Sequence, residues 1–163
     1  GVIVLLDALR ILKEKGYLFN CQYVGGETAE INAMQFVVEV ERRKLNDRVA
    51  YAGRKVGEEK NTFFQQADIF ILPTMNECFP LVILEAMEYK LPVISTNEGG
   101  IPDIVKDGEN GLICEKQNPV SLADCIAKLL DDEELRVKMG NAGYEKFCRE
   151  FTLQRFELSL IHI

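Results

Sequence analysis

The chain is 163 residues long, with 19 Lys and Arg against 26 Asp and Glu, a formal charge of −7, 47% apolar residues, five Cys and no Trp. A chain of this length buries about 70% of its unfolded surface, so one core-forming domain is expected, and an apolar fraction near one half excludes a disordered chain. The negative charge and the absence of any block of five or more basic residues argue against nucleic acid or an anionic membrane patch as a partner, because neither phosphate field attracts such a chain.

Leu5, Ala8, Leu9 and Leu12 fall at i, i+3, i+4 and i+7, and Lys13-Glu14-Lys15-Gly16 supplies charge and a stop, so a helix is predicted from Val2 to Lys15. Leu18 to Val24 is a strand-like run rich in aromatic and β-branched residues that ends at Gly25-Gly26. A polar-faced helix over Thr28 to Leu45, with Ile31, Met34, Val38 and Leu45 on one side, leads to a strand at Arg48 to Ala52, a helix at Glu58 to Ala67 and a strand at Ile69 to Leu72. A helix at Leu81 to Tyr89, a strand at Val93 to Ser95, a short helix at Ile101 to Val105 and a last strand at Gly111 to Cys114 continue the alternation. Such alternation means a parallel sheet, and the runs Ile69-Phe70-Ile71-Leu72 and Val93-Ile94 lack polar alternation, as strands buried on both faces do.

Asn118 before Pro119 is an N-cap followed by a proline at the first helical position, so a helix is predicted to Leu130 with Leu122, Cys125, Ile126 and Leu129 at core spacing. Asp131 with Glu134 is a second start of the capping-box type, opening a helical tail through Phe147 that Gly140 and Gly143 interrupt. No internal repeat or interdomain linker is visible, and the acidic run 131–134 reads as a solvated helix start. The five cysteines contain no C-x-x-C pair and no zinc or haem spacing, so reduced, partly buried thiols and a cytosolic compartment are expected. No apolar run approaches the roughly 18 residues that a membrane span requires. The chain opens on Gly1 without a start methionine or a basic leader, and a fragment of a longer protein is expected.

Ligands of an open parallel sheet bind beyond the carboxyl ends of its strands. Four segments follow predicted strands: Gly25-Gly26, Gly53-Arg54-Lys55, the run from Pro73 through Glu77 to Leu81, and Thr96 to Pro102. In the third, Pro73 closes a buried strand, a polar loop holds Glu77, and a helix begins near Pro80. The first backbone amides of that helix, those of Leu81 and Val82, have no intrahelical acceptor and form an anion site. Glu77 and Glu85 lie eight residues apart, one in the loop and one along the helix, and carboxylates suit hydroxyl-rich ligands. Spacing alone is equally met by an exposed pair of carboxylates.

The run Glu77-Cys78-Phe79-Pro80-Leu81-Val82-Ile83-Leu84-Glu85-Ala86-Met87, followed by Leu91-Pro92-Val93-Ile94 and Gly99-Gly100-Ile101-Pro102-Asp103-Ile104-Val105, resembles the donor-sugar region of glycosyltransferase family four. Ala67 to Pro73 and Asp107-Gly108-Glu109-Asn110-Gly111-Leu112 fit the same pattern, so the resemblance covers roughly Val49 to Phe151, in order and at the family's spacing. It implies a retaining glycosyltransferase of GT-B architecture, of which this chain is the Rossmann-like, C-terminal, donor-binding half. By the same resemblance Glu77 contacts the donor hexose and is the catalytic candidate. Phe79, Pro80 and Leu81 surround the sugar and pyrophosphate, the Leu81 and Val82 amides meet phosphate, Glu85 grips the ribose hydroxyls, and Arg54 and Lys55 border the nucleobase. Asp103 stands where the family usually has Glu, and Cys78 occupies a variable position read as a small filler.

The resemblance further implies a UDP-, GDP- or ADP-sugar donor, no metal, and a glycan or lipid-linked acceptor held by an N-terminal domain outside this chain, with peripheral membrane association of the full-length enzyme as a companion expectation. The chain has no Asp-x-Asp, and its one histidine, His162, lies in an apolar tail and reads as packing. In the family a first strand precedes the helix that starts here at Gly1, and its loop brings an Arg and a Lys to the pyrophosphate. Neither stands in this sequence, so residues 1–163 are expected to be an incomplete domain that alone transfers no sugar. Two competing readings are a nucleotide-sugar 2-epimerase, for which a single terminal histidine is poor support, and a non-catalytic nucleotide-sugar-sensing domain, against which the presence of both Glu77 and Glu85 argues.

Overall fold

A computed structural model of the chain describes residues 1–27 and 31–151. The described elements are α1 (Val2–Glu14), β1 (Cys21–Val24), α2 (Ala33–Arg42), β2 (Val49–Gly53), α3 (Gly57–Gln66), β3 (Phe70–Leu72), α4 (Leu81–Glu88), β4 (Val93–Thr96), α5 (Ile101–Ile104), β5 (Gly111–Cys114), α6 (Pro119–Asp131) and α7 (Glu133–Glu150). Every strand pair is parallel, as the alternation requires. β1 pairs with β2, while β3, β4 and β5 form a separate ladder in that order. Among the described residues β1 and β3 therefore each keep one edge unpaired.

The first helix spans that division. Leu5, Leu6, Ala8, Leu9 and Leu12 of α1 are buried in a core shared with Cys21 and Tyr23 of β1, Ile71 of β3, Ile94 of β4, Leu112 of β5 and the inner face of α6. At about 1.5–3 kcal/mol for each large apolar side chain buried, this stripe holds the two ladders together. The N-terminal end of α1 lies between their strand ends: the Tyr23 hydroxyl donates to the Val2 carbonyl at 3.1 Å, and Gly1 abuts the Pro73 carbonyl so closely that a Cβ would not fit. A second core, on the opposite face, gathers Phe64 of α3, Ile83, Ala86 and Met87 of α4, and Ile101 and Ile104 of α5. Val93 and Ile94, adjacent on β4, point into the second and the first core respectively, the period-two alternation of a strand covered on both sides. β4 is buried along its whole length, whereas β3 is only half-buried.

Sequence readings of three elements change. The helix expected over Thr28 to Leu45 begins at Asn32, whose side chain accepts from the Gln35 amide while the Gln35 side chain accepts from the Asn32 amide; Thr28 lies outside the described residues. Its buried face is Phe36 and Val40, not Met34 and Val38, which are exposed, because Phe36 packs edge-on to Tyr23 and against Tyr51 on the β1–β2 ladder. The strand expected from Leu18 starts at Cys21, where its partner begins at Val49, leaving Leu18 exposed. The final helix is capped by Asp132, which accepts from the Leu135 amide at 2.9 Å; Asp131 closes α6 and accepts from the Tyr17 hydroxyl. All five cysteines are free, but only Cys114 is buried and Cys21 and Cys125 half-buried, while Cys78 and Cys148 are exposed. His162 lies outside the described residues.

Candidate functional site

The loops that leave β3 and β4 meet at the carboxyl end of the sheet. Inside the sheet, the Ser95 hydroxyl donates to the Leu72 carbonyl and the Thr96 hydroxyl to the Thr74 carbonyl, each at 2.7 Å, so the exit of β3 is fastened to β4 by buried side chains as well as by the ladder. Farther out, Gly99 adopts φ +51° and Gly100 donates its amide to the Cys78 carbonyl at 2.6 Å. A Cβ on Gly99 would strike the carbonyl oxygens of Glu77 and Cys78, and one on Gly100 would strike the Cys78 carbonyl and the Phe79 ring. These two glycines are what permits backbone to lie directly on backbone, and the contact fixes the path of the Glu77-to-Pro80 segment.

That segment delivers the chain into α4. Pro80 is the N-cap residue and supplies no side-chain cap; the Ile83 amide turns back to the Pro80 carbonyl at 3.0 Å, and the Leu81 and Val82 amides take no partner among the described residues. Two unpaired amides at the positive end of a helix, next to a strand end, favour an anion. Pro80 is buried, Phe79 and Leu81 are exposed, and Val82 is half-buried. Glu77 is half-buried, and its carboxylate takes no hydrogen bond or ion pair among the described residues. Glu85, one turn into α4, is paired: Lys60 of α3 donates to its Oε1 at 2.5 Å. Lys60 has no place in the sequence reading, because it lies 25 residues from its partner and belongs to no local pattern.

Gly53, at φ +73°, ends β2 and turns the chain toward α3, accepting the Gly25 amide at 3.0 Å. After it, Arg54 is exposed, while Lys55 is half-buried and pairs with Glu59 at 3.5 Å. Arg54 and Lys55 thus stand just before the helix whose Lys60 reaches Glu85. Asp103 enters through its backbone: Lys146 of α7 donates to its carbonyl at 2.5 Å, so an Asp in place of Glu leaves this contact unchanged. Burial holds the Lys146 ammonium below the ordinary lysine range.

The Asp107-to-Leu112 turn is a structural unit. Buried Asn110 donates to the Ile104 carbonyl at 3.0 Å and accepts the Lys106 amide at 2.7 Å, and Asp107 accepts the Ile113 amide at 2.9 Å. A shallow groove of about 520 Å³ between β5 and α6, lined in part by Asp107, Glu115, Asp124 and Lys128, contains none of the sequence-predicted site residues. Among the described residues no three His, Cys, Asp or Glu are placed to hold a metal ion, and no helix is long and apolar enough to cross a membrane.

The family model for glycosyl transferases group 1 matches residues 1–146. The uncharacterized glycosyltransferase MJ1178 of Methanocaldococcus jannaschii is 34% identical over 155 residues, 95% of this chain and 41% of that protein. The capsular polysaccharide biosynthesis glycosyltransferase CapM of Staphylococcus aureus is 30% identical over 154 residues, 94% of this chain and 40% of that protein. Among solved structures, the C-terminal domain of a glycosyl transferase group 1 family protein, LpcC, from Francisella tularensis matches with a TM-score of 0.84 at 25% identity, covering 94% of this chain and 80% of that one. The chain spans about two fifths of the length of the two curated relatives.

Proposed function

The chain belongs to the glycosyl transferases of group 1 and has the Rossmann-like α/β fold of their GT-B C-terminal domains, and from that premise we propose that it is the donor-binding part of a retaining enzyme moving a hexose from a UDP-, GDP- or ADP-sugar to a glycan or lipid-linked acceptor. The observation that carries this reading is the backbone-clamped run from Glu77 into α4. It combines a carboxylate and two helix N-terminal amides that have no partner among the described residues with a second carboxylate one turn along. The amides take the donor diphosphate, and Glu85 takes the ribose. Glu77 faces the hexose, Phe79 and Pro80 border it, and the Arg54–Lys55 turn borders the base. CapM is named for capsular polysaccharide biosynthesis, and its similarity to this chain supports a role of that kind.

In the reaction the bond from the anomeric carbon to the diphosphate breaks while a bond to the acceptor oxygen forms on the same face, and the acceptor hydroxyl passes its proton to the departing diphosphate oxygen. Negative charge grows on the departing diphosphate, where the Leu81 and Val82 amides and the α4 dipole stabilise it, and positive charge grows on the sugar, which Glu77 orients and offsets. No metal takes part. The acceptor site and the remaining chemistry belong to an N-terminal domain outside this chain, and the enzyme works in the cytoplasm.

A strand from outside these residues completes the sheet between β1 and β3, bringing an Arg and a Lys to the pyrophosphate. The split of the sheet at that place, with α1 starting between the two strand ends, supports this. The isolated chain accordingly transfers no sugar and binds donor weakly. The test is kinetic, on the full-length protein: Glu77→Ala lowers kcat by about 10²-fold with donor affinity nearly unchanged, and Glu85→Ala weakens donor binding by about tenfold. Silence of both substitutions refutes the assignment.

A further inference from the structure

The seam between α3 and α4 carries an ion pair that neither helix can make by itself. Three and four residues from Lys60 stand Val56, Gly57, Phe63 and Phe64, none of them acidic, and the neighbouring Glu59 is engaged by Lys55. The same positions around Glu85 are Leu81, Val82, Glu88 and Tyr89, none of them basic. Helix geometry thus gives each charge no counter-charge on its own helix, and each finds one across the seam at 2.5 Å. One turn further along both helices, Phe64 stacks on Tyr89 with ring centroids 5.4 Å apart and planes within 12°. Phe64, Ile83 and Met87 are buried in the same core beneath it. The stack and the pair share the same four-residue step on both helices, so core packing sets the register that brings Lys60 to Glu85.

Both partners are about one third exposed, with side-chain values of 31% and 38%, and a pair so exposed adds little to stability. Its consequence is geometric. Glu has three side-chain torsions and, unpaired, samples many rotamers; with Oε1 accepting from Lys60, the carboxylate is oriented and Oε2 has no partner among the described residues.

We propose that Lys60 is a positioning residue for the nucleotide: by occupying Oε1 it presents Glu85 Oε2 to the ribose 2′-hydroxyl, and so sets a preference for ribonucleoside over 2′-deoxyribonucleoside diphosphates. This rests on the donor-binding reading of Glu85. It differs from a direct ionic contact of Lys60 with the diphosphate, which would strengthen ribo- and deoxyribonucleotides alike.

The experiment is titration calorimetry on the full-length protein with UDP and 2′-deoxy-UDP, and with GDP and 2′-deoxy-GDP, for Lys60→Met, Lys60→Gln, Lys60→Arg and Glu85→Gln. The pair with the tighter wild-type ribonucleotide is read. Lys60→Met reduces the ribo-to-deoxy affinity ratio by about tenfold, the worth of one charge-assisted hydrogen bond. Lys60→Arg restores most of the ratio. Lys60→Gln, which keeps a neutral donor, falls between, and it leaves the ratio measurable if the Met variant fails to fold. A ratio unchanged in Lys60→Met and Lys60→Gln but lost in Glu85→Gln overturns the role of Lys60 while leaving Glu85 on the ribose. Equal weakening of both nucleotides also overturns it, in favour of a phosphate contact. A ratio unchanged in Glu85→Gln overturns the reading of Glu85 itself, and the proposal with it.

Discussion

Replacing Gly99 by Ala removes the contact that fixes the path of the Glu77 loop. Gly99 sits at φ +51°, in the left-handed region that costs an L side chain about 1–2 kcal/mol. Its new Cβ would meet the carbonyl oxygens of Glu77 and Cys78, which are backbone atoms and move only if the loop moves. Displacing the loop also breaks the 2.6 Å bond from the Gly100 amide to the Cys78 carbonyl, worth about 1 kcal/mol net. Together the loss is about 2–3 kcal/mol, which at about 2–4 °C per kcal/mol for a chain of this size lowers Tm by about 4–12 °C. Gly16→Ala isolates the backbone part of this cost: Gly16 is at φ +88° but has nothing within 4 Å of an added Cβ, so Tm falls by only about 2–8 °C. Calorimetric unfolding is run on both variants of this chain, and nucleotide-sugar titration on both variants of the full-length protein. Donor affinity falls in Gly99→Ala, because Glu77 and the tip of α4 move with the loop, and stays at the wild-type value in Gly16→Ala. A Gly99→Ala protein that melts no lower than Gly16→Ala and binds donor normally refutes the clamp.

Other sites give independent checks. Asn110→Ala strips the partners from the buried Ile104 carbonyl and Lys106 amide, lowering the urea midpoint by the equivalent of about 2–4 kcal/mol at constant m. Burial pushes the Cys21 thiol up to about 12 and the Cys114 thiol up to about 11, whereas an unfolded thiol ionises at about 8.5. From that pH up to about 11 the unfolded chain binds fewer protons than the folded one, so stability falls as pH rises. Lys146, lowered by burial, acts with the opposite sign just below the ordinary lysine range, so the check is the difference: Cys114→Ala flattens the alkaline decline in urea midpoint relative to wild type. A small thiol reagent at neutral pH labels the exposed Cys78 and Cys148 ahead of the other three cysteines, and a nucleotide sugar slows labelling of Cys78 while leaving Cys148 unaffected, as peptide mass mapping reads out.

The parts legible in the sequence are those encoded locally. The stripe Leu5, Ala8, Leu9, Leu12 places α1 on the core, the Asn118-Pro119 pair starts α6 with its side-chain oxygen accepting the Val120 and Ser121 amides, and Val93-Ile94 marks the strand buried on both faces. Glu77, Pro80 and the α4 amides were placed by one contiguous stretch of residues. What the sequence left out depends on contacts between distant segments. The buried face of α2 is chosen by the Tyr23 and Tyr51 rings, which outcompete the more numerous aliphatic positions on its other side. Four consecutive acids allow two capping frames, and the Tyr17 hydroxyl on Asp131 leaves Asp132 as the cap. Lys60 reaches Glu85 only because two crossover helices lie side by side on one face of the sheet, and nothing within 25 residues of chain announces that pairing.

The central claim is that donor diphosphate binds at the tip of α4, between Glu77 and Glu85. The most direct measurement is a crystal structure of the full-length protein with an intact nucleotide-diphosphate sugar. The expected result is a diphosphate oxygen within hydrogen-bond distance of the Leu81 and Val82 amides, the ribose against Glu85 and the hexose against Glu77. A diphosphate seated elsewhere, in the groove between β5 and α6 or at the ends of β1 and β2, contradicts it.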